Sequence, residues 1–283
     1  MAARLFVILQ YLLPKYWLTA LVYRLARVRR PAVKDFLITR FVLHFDVDVE
    51  EVAREVPAGY ESLNDFFTRE LRDDARPVAT AADAVIAPVD GTVSQAGVLT
   101  AGRLVQAKGL HYAVEDLLAT DIETARSFAG GSFATIYLAP YNYHRVHSAV
   151  DGQLEALHYV PGDLFSVNEA TVSRVSGLFR RNERLIMHFA TPRGPVVQIL
   201  VGAINVGSIS TPWTGEIRPR KSGVVDVLEP NSAPRTVRKG DLLGWFNMGS
   251  TVILLFPADA CRWRPDLQHG EILRMGQPIG SLT

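Results

Sequence analysis

The sequence predicts an α+β fold in which N-terminal amphipathic helices precede a β-rich body. Two apolar stretches with interspersed basic residues occupy most of the first 30 positions. From about residue 84 onward, short β-branched runs alternate with Gly, Pro and Asp, which is typical of an antiparallel or mixed sheet. The chain has 283 residues, 48% of them hydrophobic, so it is long enough for one large domain with a helical appendage.

The two N-terminal stretches are residues 5–13 and 16–23, separated by Pro14 and Lys15. A membrane-spanning helix needs roughly 20 consecutive apolar residues, and neither stretch is half that long. Aromatic residues mixed with arginines are typical of helices that lie in the interface of an anionic membrane. We therefore expect this segment to lie on a membrane. The alternative is a helix that packs on the core and exposes a basic face to water.

The formal charges are unevenly distributed. The first 34 residues contain seven basic side chains and no acidic one, and the remainder contains 23 basic and 29 acidic residues, a formal charge of −6. This predicts a basic N-terminal segment on a mildly acidic body. The net charge of +1 does not indicate a general affinity for nucleic acid. Cys261 is the sole cysteine, which excludes an intramolecular disulfide and a multi-cysteine metal site.

The predicted organisation is a membrane-associating helical region over residues 1–60 and a second domain over residues 61–283. Residues 34–55 alternate apolar and charged side chains at helical spacing, which predicts one or two more helices. Ser62 is predicted to cap a helix, with Asp65 three residues later. The second domain is predicted to contain an isolated helix at 110–120 and strands at 85–86, 91–93, 133–138, 185–189, 196–204, 224–228 and 251–256.

Two of three notable motifs contain candidate acid–base residues. Asp90 lies in a Pro-Val-Asp-Gly segment, which also suits an ordinary turn after an apolar run. His144 and His147 are three positions apart, a spacing that suits metal binding, acid–base chemistry or a structural role at a strand end. The pair lacks the glutamate or third histidine of familiar zinc motifs, so we predict no metal site.

The third motif is Asn247-Met248-Gly249-Ser250-Thr251, which leads into an apolar run. Gly249 has no Cβ, so its carbonyl is open to attack and its backbone tolerates strained angles. The Ser250 hydroxyl lies next to that carbonyl. An intramolecular attack also needs a histidine to take the proton and a carboxylate to orient the histidine. Asp90, His147 and Ser250 are therefore a candidate charge-relay triad, while a turn into a strand is the structural alternative.

These motifs together resemble the bacterial phosphatidylserine decarboxylase proenzyme family. The family's Leu-Gly-Ser-Thr cleavage motif corresponds to residues 248–251, with Met248 in place of Leu. The family's processing histidine corresponds to His147 and its aspartate to Asp90. Further similarity, in consistent order over roughly residues 60 to 260, lies in Leu63-Asn64-Asp65-Phe66-Phe67-Thr68-Arg69, Lys108-Gly109, Val201-Gly202-Ala203, Val206-Gly207-Ser208-Ile209 and Lys239-Gly240.

The resemblance implies a self-processing enzyme. Asp90 orients His147, which deprotonates Ser250 for attack on the Gly249 carbonyl. The resulting ester breaks by β-elimination into a β chain of residues 1–249 and an α chain of residues 250–283. Dehydroalanine at position 250 then hydrolyses to a covalent pyruvoyl group and ammonia.

The resemblance also implies the substrate and the place of action. The pyruvoyl carbonyl is expected to form a Schiff base with phosphatidylserine and to accept the electrons left when CO₂ departs, which gives phosphatidylethanolamine. His144 is the candidate for placing the substrate or donating a proton. The expected location is peripheral, on the cytoplasmic face of the bacterial inner membrane, with an anionic lipid surface as partner. A homodimer is left open, and no nucleic-acid partner is expected.

Two alternative functions use these features differently. A membrane-associated Ser-His-Asp hydrolase keeps Ser250 intact and reacts with a fluorophosphonate. A non-catalytic lipid-binding protein needs only the N-terminal helices. The mass of the mature chain distinguishes the three hypotheses, because only the decarboxylase splits and loses ammonia.

Overall fold

The structure, a computed structural model, describes residues 2–107, 109–119, 122–205, 208–221, 223–231, 233–248 and 250–283. Of the residues that the sequence analysis singled out, Gly249, Lys108, Val206 and Gly207 lie outside these ranges. The described residues form eight helices: α1 (Ala2–Leu12), α2 (Lys15–Ala26), α3 (Pro31–Phe45), α4 (Leu63–Phe67), α5 (Val114–Leu118), α6 (Ile122–Arg126), α7 (Glu169–Val172) and α8 (Leu178–Arg181). Three N-terminal helices thus precede a sheet-rich body, as the α+β prediction requires.

The body is built mainly of antiparallel strands. They are β1 (Ala84–Ile86), β2 (Gly91–Val98), β3 (Arg103–Ala107), β4 (Leu110–Ala113), β5 (Ser132–Tyr137), β6 (Arg145–His147), β7 (Gly152–Val160), β8 (Arg184–Thr191), β9 (Gly194–Val201), β10 (Ile209–Thr211), β11 (Gly215–Ile217), β12 (Asp226–Leu228), β13 (Thr236–Val237), β14 (Leu242–Phe246), β15 (Thr251–Phe256), β16 (Cys261–Trp263), β17 (Ile272–Leu273) and β18 (Pro278–Leu282).

The largest sheet has nine strands, and β15 lies in its interior. Its order is β12-β7-β8-β9-β15-β5-β2-β17, with β13 paired to β7. On β15, Thr251 lies opposite Tyr137 of β5 and Val201 of β9. Every residue of β15 is buried, because apolar side chains cover both faces of this part of the sheet. The residue that precedes β15 is therefore held at a well-defined place.

A second sheet, of four strands in the order β11-β10-β14-β6, lies against the large one. It carries His147 at the end of β6, opposite Leu242 of β14. Buried Gln198 of β9 donates a hydrogen bond from Nε2 to the His147 carbonyl at 2.9 Å. This bond fixes the two sheets relative to each other near the histidine.

A smaller hydrophobic cluster joins the N-terminal helices to the body. It is formed by α3, α4 and the segment between them, and contains Ile38, Phe41, Val47, Val52, Tyr60, Phe66 and Phe67. Met248 packs against this cluster. The helical region and the segment just before Ser250 therefore share one apolar core.

The N-terminal helices expose many apolar side chains to water. They include Leu5, Phe6, Ile8, Leu9, Leu12, Trp17, Leu21, Leu25, Phe36 and Leu43. Such a large exposed apolar surface is typical of a region that meets a membrane or another molecule. Among the described residues, no single helix is long and apolar enough to span a bilayer. The bent pair Ala3–Leu12 and Lys15–Ala26, with 92° between its halves, has sufficient length and composition when taken together.

One local prediction is wrong in part, and two are confirmed. Residues 110–120 do not form one helix: β4 pairs with β3 as a hairpin, and α5 begins at Val114. Cross-strand pairing decides this segment, and helical periodicity cannot reveal it. Helix α3 is one of the one or two helices predicted at 34–55, and it ends at Phe45, with Asp46 in the left-handed region at φ 52°. Ser62 does cap α4, since its side chain accepts a hydrogen bond from the Asp65 N–H at 3.2 Å.

Candidate active site

Ser250 immediately precedes β15 and is fully buried. Its carbonyl accepts a hydrogen bond from the Leu138 N–H at 2.8 Å, which anchors the residue to the neighbouring chain. Its Oγ has no hydrogen-bond partner among the described atoms. Buried hydroxyls are usually paired, so this free hydroxyl is available for a reacting group.

A cavity of about 370 Å³ lies beside Ser250. It is bordered by α3, by the 166–168 segment and by the 203–205 segment. Its lining includes Phe41, Phe45, Phe67, Leu138, Asn168, Asn205 and Met248. The cavity wall combines these aromatic and aliphatic side chains with the polar residues Ser166, Asn168, Asn205 and Ser250.

Asn247 holds the chain immediately before the candidate cleavage site. Its carbonyl accepts from Asn64 Nδ2 at 2.8 Å, and its own Nδ2 donates to Ser208 Oγ at 2.7 Å and to Ser210 Oγ at 3.1 Å. All four side chains are buried. These bonds restrict the chain two residues before Gly249. Asn64 and Asn247 both lie in short sequence motifs, but neither had a predicted role.

His147 is buried, and both of its ring nitrogens have partners. Nδ1 lies 2.7 Å from the Gly240 carbonyl, and Nε2 lies 3.0 Å from the Tyr143 hydroxyl. A carbonyl only accepts, so Nδ1 carries the proton and Nε2 accepts from Tyr143 in the neutral ring. Burial lowers the pKa of His147, and the charge of Asp90 acts in the opposite direction. A neutral imidazole with an Nε2 lone pair is suited to act as a base.

Asp90 is anchored to an arginine. Its carboxylate accepts two hydrogen bonds from Arg76, at 2.8 and 2.6 Å, and a third from the Met275 N–H at 2.8 Å. Arg76 also donates to Glu51 at 2.8 Å. The His147 N–H donates to the Pro88 carbonyl at 2.8 Å, which brings His147 to the segment that contains Asp90.

The expected hydrogen bonds from the His147 ring to Asp90 and Ser250 are therefore not the ones present in this structure. The ring binds Gly240 and Tyr143, and the Asp90 carboxylate binds Arg76 and Met275. Sequence reasoning missed Gly240 and Met275 because they lie 93 and 185 positions from the residues that they bind, whereas Tyr143 is only 4 positions from His147. Gly240 lies in the Lys239-Gly240 pair that contributed to the family resemblance, but Arg76 lies in none of the motifs of that resemblance.

His144 is fully buried, and neither of its ring nitrogens has a hydrogen-bond partner among the described atoms. Its ring lies against Phe67, with centroids 4.0 Å apart, and Phe67 also lines the Ser250 cavity. Burial, followed by the charge of Arg69, holds the pKa of His144 well below its usual value. The imidazole is therefore neutral, and it lies against a side chain that lines the cavity.

The site residues offer a nucleophile, two neutral imidazoles and a carboxylate, but no metal cage. Among the described residues there is no group of three or more His, Cys, Asp or Glu side chains placed to hold a metal ion. Cys261 is buried, and burial raises the pKa of its thiol to about 12, which makes it a poor nucleophile.

Comparisons with known proteins cover almost the whole chain. A family model described as phosphatidylserine decarboxylase matches residues 63–281, and a second model, described as PSD, matches residues 5–46. The phosphatidylserine decarboxylase proenzyme of Azotobacter vinelandii is 47% identical over 285 residues, covering 100% of both chains. The proenzyme of Saccharophagus degradans is 43% identical over 280 residues, covering 98% of this chain and 97% of that one. The chain therefore belongs to the phosphatidylserine decarboxylase family.

Proposed function

We propose that this chain cleaves itself between Gly249 and Ser250 and then decarboxylates phosphatidylserine to phosphatidylethanolamine. The observation that carries the proposal is the free, buried hydroxyl of Ser250 beside a cavity. The relatives are named proenzymes, which supports processing of a precursor. The same names favour a decarboxylase over the Ser-His-Asp hydrolase that the sequence left open.

The proposed cleavage uses the Ser250 hydroxyl as an internal nucleophile. Oγ attacks the Gly249 carbonyl carbon, and the acyl group moves from the Ser250 nitrogen to Oγ. β-Elimination then transfers the Ser250 α-proton to a base, forms the Cα=Cβ double bond, breaks the Cβ–Oγ bond and leaves a carboxylate on Gly249. Water converts the dehydroalanine at position 250 to a pyruvoyl group and ammonia.

His147 is proposed to take the proton of the Ser250 hydroxyl, and Asp90 is proposed to favour the positive charge that His147 then carries. The Nε2 lone pair is the acceptor in this step. Because Nε2 accepts from Tyr143 in the structure, the step requires it to exchange the Tyr143 hydroxyl for that of Ser250. Asp90 acts through its charge, since its hydrogen bonds go to Arg76 and Met275.

A pyruvoyl group at position 250 fits the residues around it. The buried Oγ without a partner and the adjacent cavity leave room for a carbonyl group at the same place. When present, the group supplies a carbonyl that condenses with the substrate amine and accepts electrons as CO₂ leaves. His144 is proposed to place the substrate or to donate the proton that replaces the carboxylate.

The proposed location is the surface of a bacterial inner membrane, on its cytoplasmic face. Residues 1–60 are proposed to associate with the lipid and residues 61–283 to form the catalytic domain. The exposed apolar side chains of α1 to α3 and the basic residues around them support this arrangement. The sequence leaves open whether the chain forms a homodimer, and sedimentation in detergent decides between monomer and dimer.

The test of the cleavage is a Ser250→Ala variant. Alanine keeps the Cβ and removes the nucleophile, so the fold is expected to persist while cleavage stops. Intact-mass spectrometry is expected to find one chain near 31.3 kDa without decarboxylase activity, whereas the parent splits. The advantage of a hydroxyl held beside the carbonyl is worth several kcal/mol of barrier, which water cannot replace.

Ser132→Ala is the matched control. Ser132 is also buried, and its hydroxyl donates to the Cys261 carbonyl at 2.9 Å, away from the cavity. This variant is expected to split like the parent. One unprocessed parent mass together with full decarboxylase activity contradicts the proposed cleavage.

A further inference from the structure

Glu216 is a carboxylate on β11 that binds both α2 and the interior of the body. Its Oε1 accepts a hydrogen bond from the Ser208 hydroxyl and another from Arg27 Nη2, at 2.7 Å. Its Oε2 accepts from the Tyr23 hydroxyl at 3.0 Å. Ser208 is fully buried, whereas the Glu216 side chain is 32% exposed. The carboxylate therefore joins a helix at the surface to a hydroxyl in the interior.

The hydrogen bonds continue from Ser208 to Asn247. Asn247 donates from Nδ2 to Ser208 Oγ at 2.7 Å, and from its backbone N–H to the Ser208 carbonyl at 3.1 Å. A carboxylate only accepts, so the Ser208 proton points to Glu216 and an Oγ lone pair is left to accept from Asn247. This direction fixes which end of the Asn247 amide faces Ser208. It leaves Oδ1 on the side of Asn64, whose Nδ2 lies at 3.3 Å.

The orientation of Asn247 bears on the proposed cleavage because this residue lies two positions before Gly249. The chain after the bond is held independently, by the hydrogen bond from the Leu138 N–H to the Ser250 carbonyl at 2.8 Å. The acyl shift requires Ser250 Oγ to reach the Gly249 carbonyl carbon. A displacement of about 1 Å from a reactive geometry can slow a reaction about a hundredfold. Contacts that hold Asn247 are therefore expected to affect the rate of cleavage.

We propose that Glu216 is a positioning residue for self-cleavage, which acts through Ser208 to orient Asn247 and so holds the chain that leads to the scissile bond. This inference rests on the proposed function, because it assumes that the bond between residues 249 and 250 breaks. Tyr23 and Arg27 also donate to Glu216, so the same carboxylate links the position of α2 to cleavage. Once the bond is broken, the chain before it ends at Gly249, and Glu216 has no part in decarboxylation.

The kinetic test compares Glu216→Ala with Asp163→Ala. Both acidic side chains are about one-third exposed, at 32% and 34%, and each pairs with a basic residue at one end of α2. Glu216 pairs with Arg27 at 2.7 Å, and Asp163 pairs with Lys15 at 3.1 Å. The Asp163 carboxylate otherwise accepts from the Leu164 N–H, which leads away from the cleavage site. The control therefore removes an anchor of α2 and leaves the bonds to Asn247 in place.

Full-length precursor is made by cell-free synthesis with phospholipid vesicles, and its conversion to two chains is followed over time on denaturing gels. Glu216→Ala is expected to convert at least about tenfold more slowly than the parent, and Asp163→Ala within about twofold of it. Decarboxylase kcat per pyruvoyl group is expected to stay within about twofold of the parent in Glu216→Ala once it is processed. Equal slowing in both variants, a Glu216→Ala that converts at the parent rate, or a kcat that falls in parallel with conversion overturns the proposal.

Two further variants test whether Glu216 acts through Ser208. Glu216→Gln keeps a carbonyl oxygen that accepts from Ser208, so it is expected to convert within about threefold of the parent. Ser208→Ala is expected to convert as slowly as Glu216→Ala, and the double variant no more slowly than either, because both changes interrupt the same series of bonds. A Glu216→Gln as slow as Glu216→Ala, or additive losses in the double variant, contradicts action through Ser208.

Hydrogen exchange gives a readout that is independent of cleavage. Glu216→Ala and Asp163→Ala are each combined with Ser250→Ala in the full-length chain, and amide exchange in the peptide that contains Asn247 is measured by mass spectrometry. Exchange is expected to be at least about fivefold faster with Glu216→Ala and unchanged with Asp163→Ala. Exchange that is unchanged with Glu216→Ala, or equally faster with both, overturns the proposal. Failure of the parent to split contradicts the proposed function instead, and the exchange result then decides whether Glu216 holds this segment.

Discussion

Glu183 is a buried carboxyl group behind the wall of the Ser250 cavity. Its Oε2 accepts a hydrogen bond from the Tyr159 hydroxyl at 2.7 Å, and its Oε1 has no partner among the described atoms. A Cβ at Gly202 would lie 2.5 Å from Oε1, so only glycine fits beside the carboxyl group. Gly202 leads directly into residues 203–205, which line the cavity. Burial raises the pKa of Glu183 to about 7, although the Tyr159 hydrogen bond acts to lower it.

This raised pKa predicts that Glu183 makes stability depend on pH. The folded state holds the Glu183 proton more tightly than the unfolded state does. The stabilising contribution of protonated Glu183 to folding is therefore complete below about pH 4.5 and is lost as pH rises to about 7. A shift of this size corresponds to about 3 kcal/mol. Glu183→Gln stays neutral, so its thermal midpoint relative to the parent is expected to rise by several degrees between about pH 5 and about pH 8.

Glu155→Gln serves as the control for this measurement, because Glu155 is exposed on the adjacent strand β7. Its midpoint relative to the parent is expected to be the same at both pH values. If the difference in thermal midpoint between Glu183→Gln and the parent does not grow with pH, the result contradicts a buried carboxyl group that is protonated near neutrality.

The N-terminal helices are each attached to a wall of the Ser250 cavity. On α1, Gln10 accepts from the Ser166 N–H at 2.7 Å. On α2, Thr19 accepts from the Asn205 N–H at 3.1 Å. Helix α3 contributes Phe41 to the lining itself. Because Gln10 and Thr19 are buried on helices that expose apolar side chains, a displacement of α1 or α2 is expected to displace the cavity walls.

For the N-terminal helices we predict salt-dependent binding to anionic vesicles. Replacing the exposed residues Arg24, Arg29 and Arg30 by Gln removes three positive charges without changing buried contacts. Each basic residue near an anionic surface contributes about 1 kcal/mol at moderate salt, so binding at low salt is expected to weaken at least about tenfold. Vesicle sedimentation at two salt concentrations measures the effect.

The matched control replaces the exposed residues Arg72, Arg193 and Arg262 by Gln, which changes the net charge equally. This variant is expected to bind like the parent, because its changes lie outside the N-terminal segment. An equal loss of vesicle binding in both triple variants means that net charge alone governs binding, and this outcome contradicts the prediction.

At the scale of the whole molecule, several strands of the segment after the proposed cleavage site are hydrogen-bonded to strands that precede it. Strand β15 is hydrogen-bonded to β9 on one side and β5 on the other. Strands β17 and β18 pair with β2 and β1. The Met275 N–H donates to Asp90, which adds a polar contact between the two proposed chains. Cleavage between residues 249 and 250 breaks one covalent bond and none of these.

We therefore predict that the α and β chains remain together after cleavage. They are expected to co-elute in size-exclusion chromatography in mild detergent and to separate in sodium dodecyl sulfate. A reducing agent is expected to change neither result, because Cys261 is the sole cysteine. Release of residues 250–283 as a free peptide under native conditions contradicts the prediction.

The sequence by itself determined the features that depend on local chemistry. The Ser62 cap follows from a polar side chain next to the first free N–H groups of a helix. The apolar run after Ser250 predicts a buried strand, and β15 is that strand. The family could also be identified from the sequence, because its motifs are short and retain their order along the chain.

Only the tertiary structure decided how these local pieces meet. Arg76 binds Asp90 from 14 positions away, and Gly240 binds His147 from 93 positions away. Such partners are selected by strand order and register, which periodicity does not encode. The same holds for residues 110–113, which β3 converts to a strand, and for Glu183, whose raised pKa depends on its burial. Hydrogen-bond partners and burial are properties of the assembled sheets, so residue identity and spacing alone leave them open.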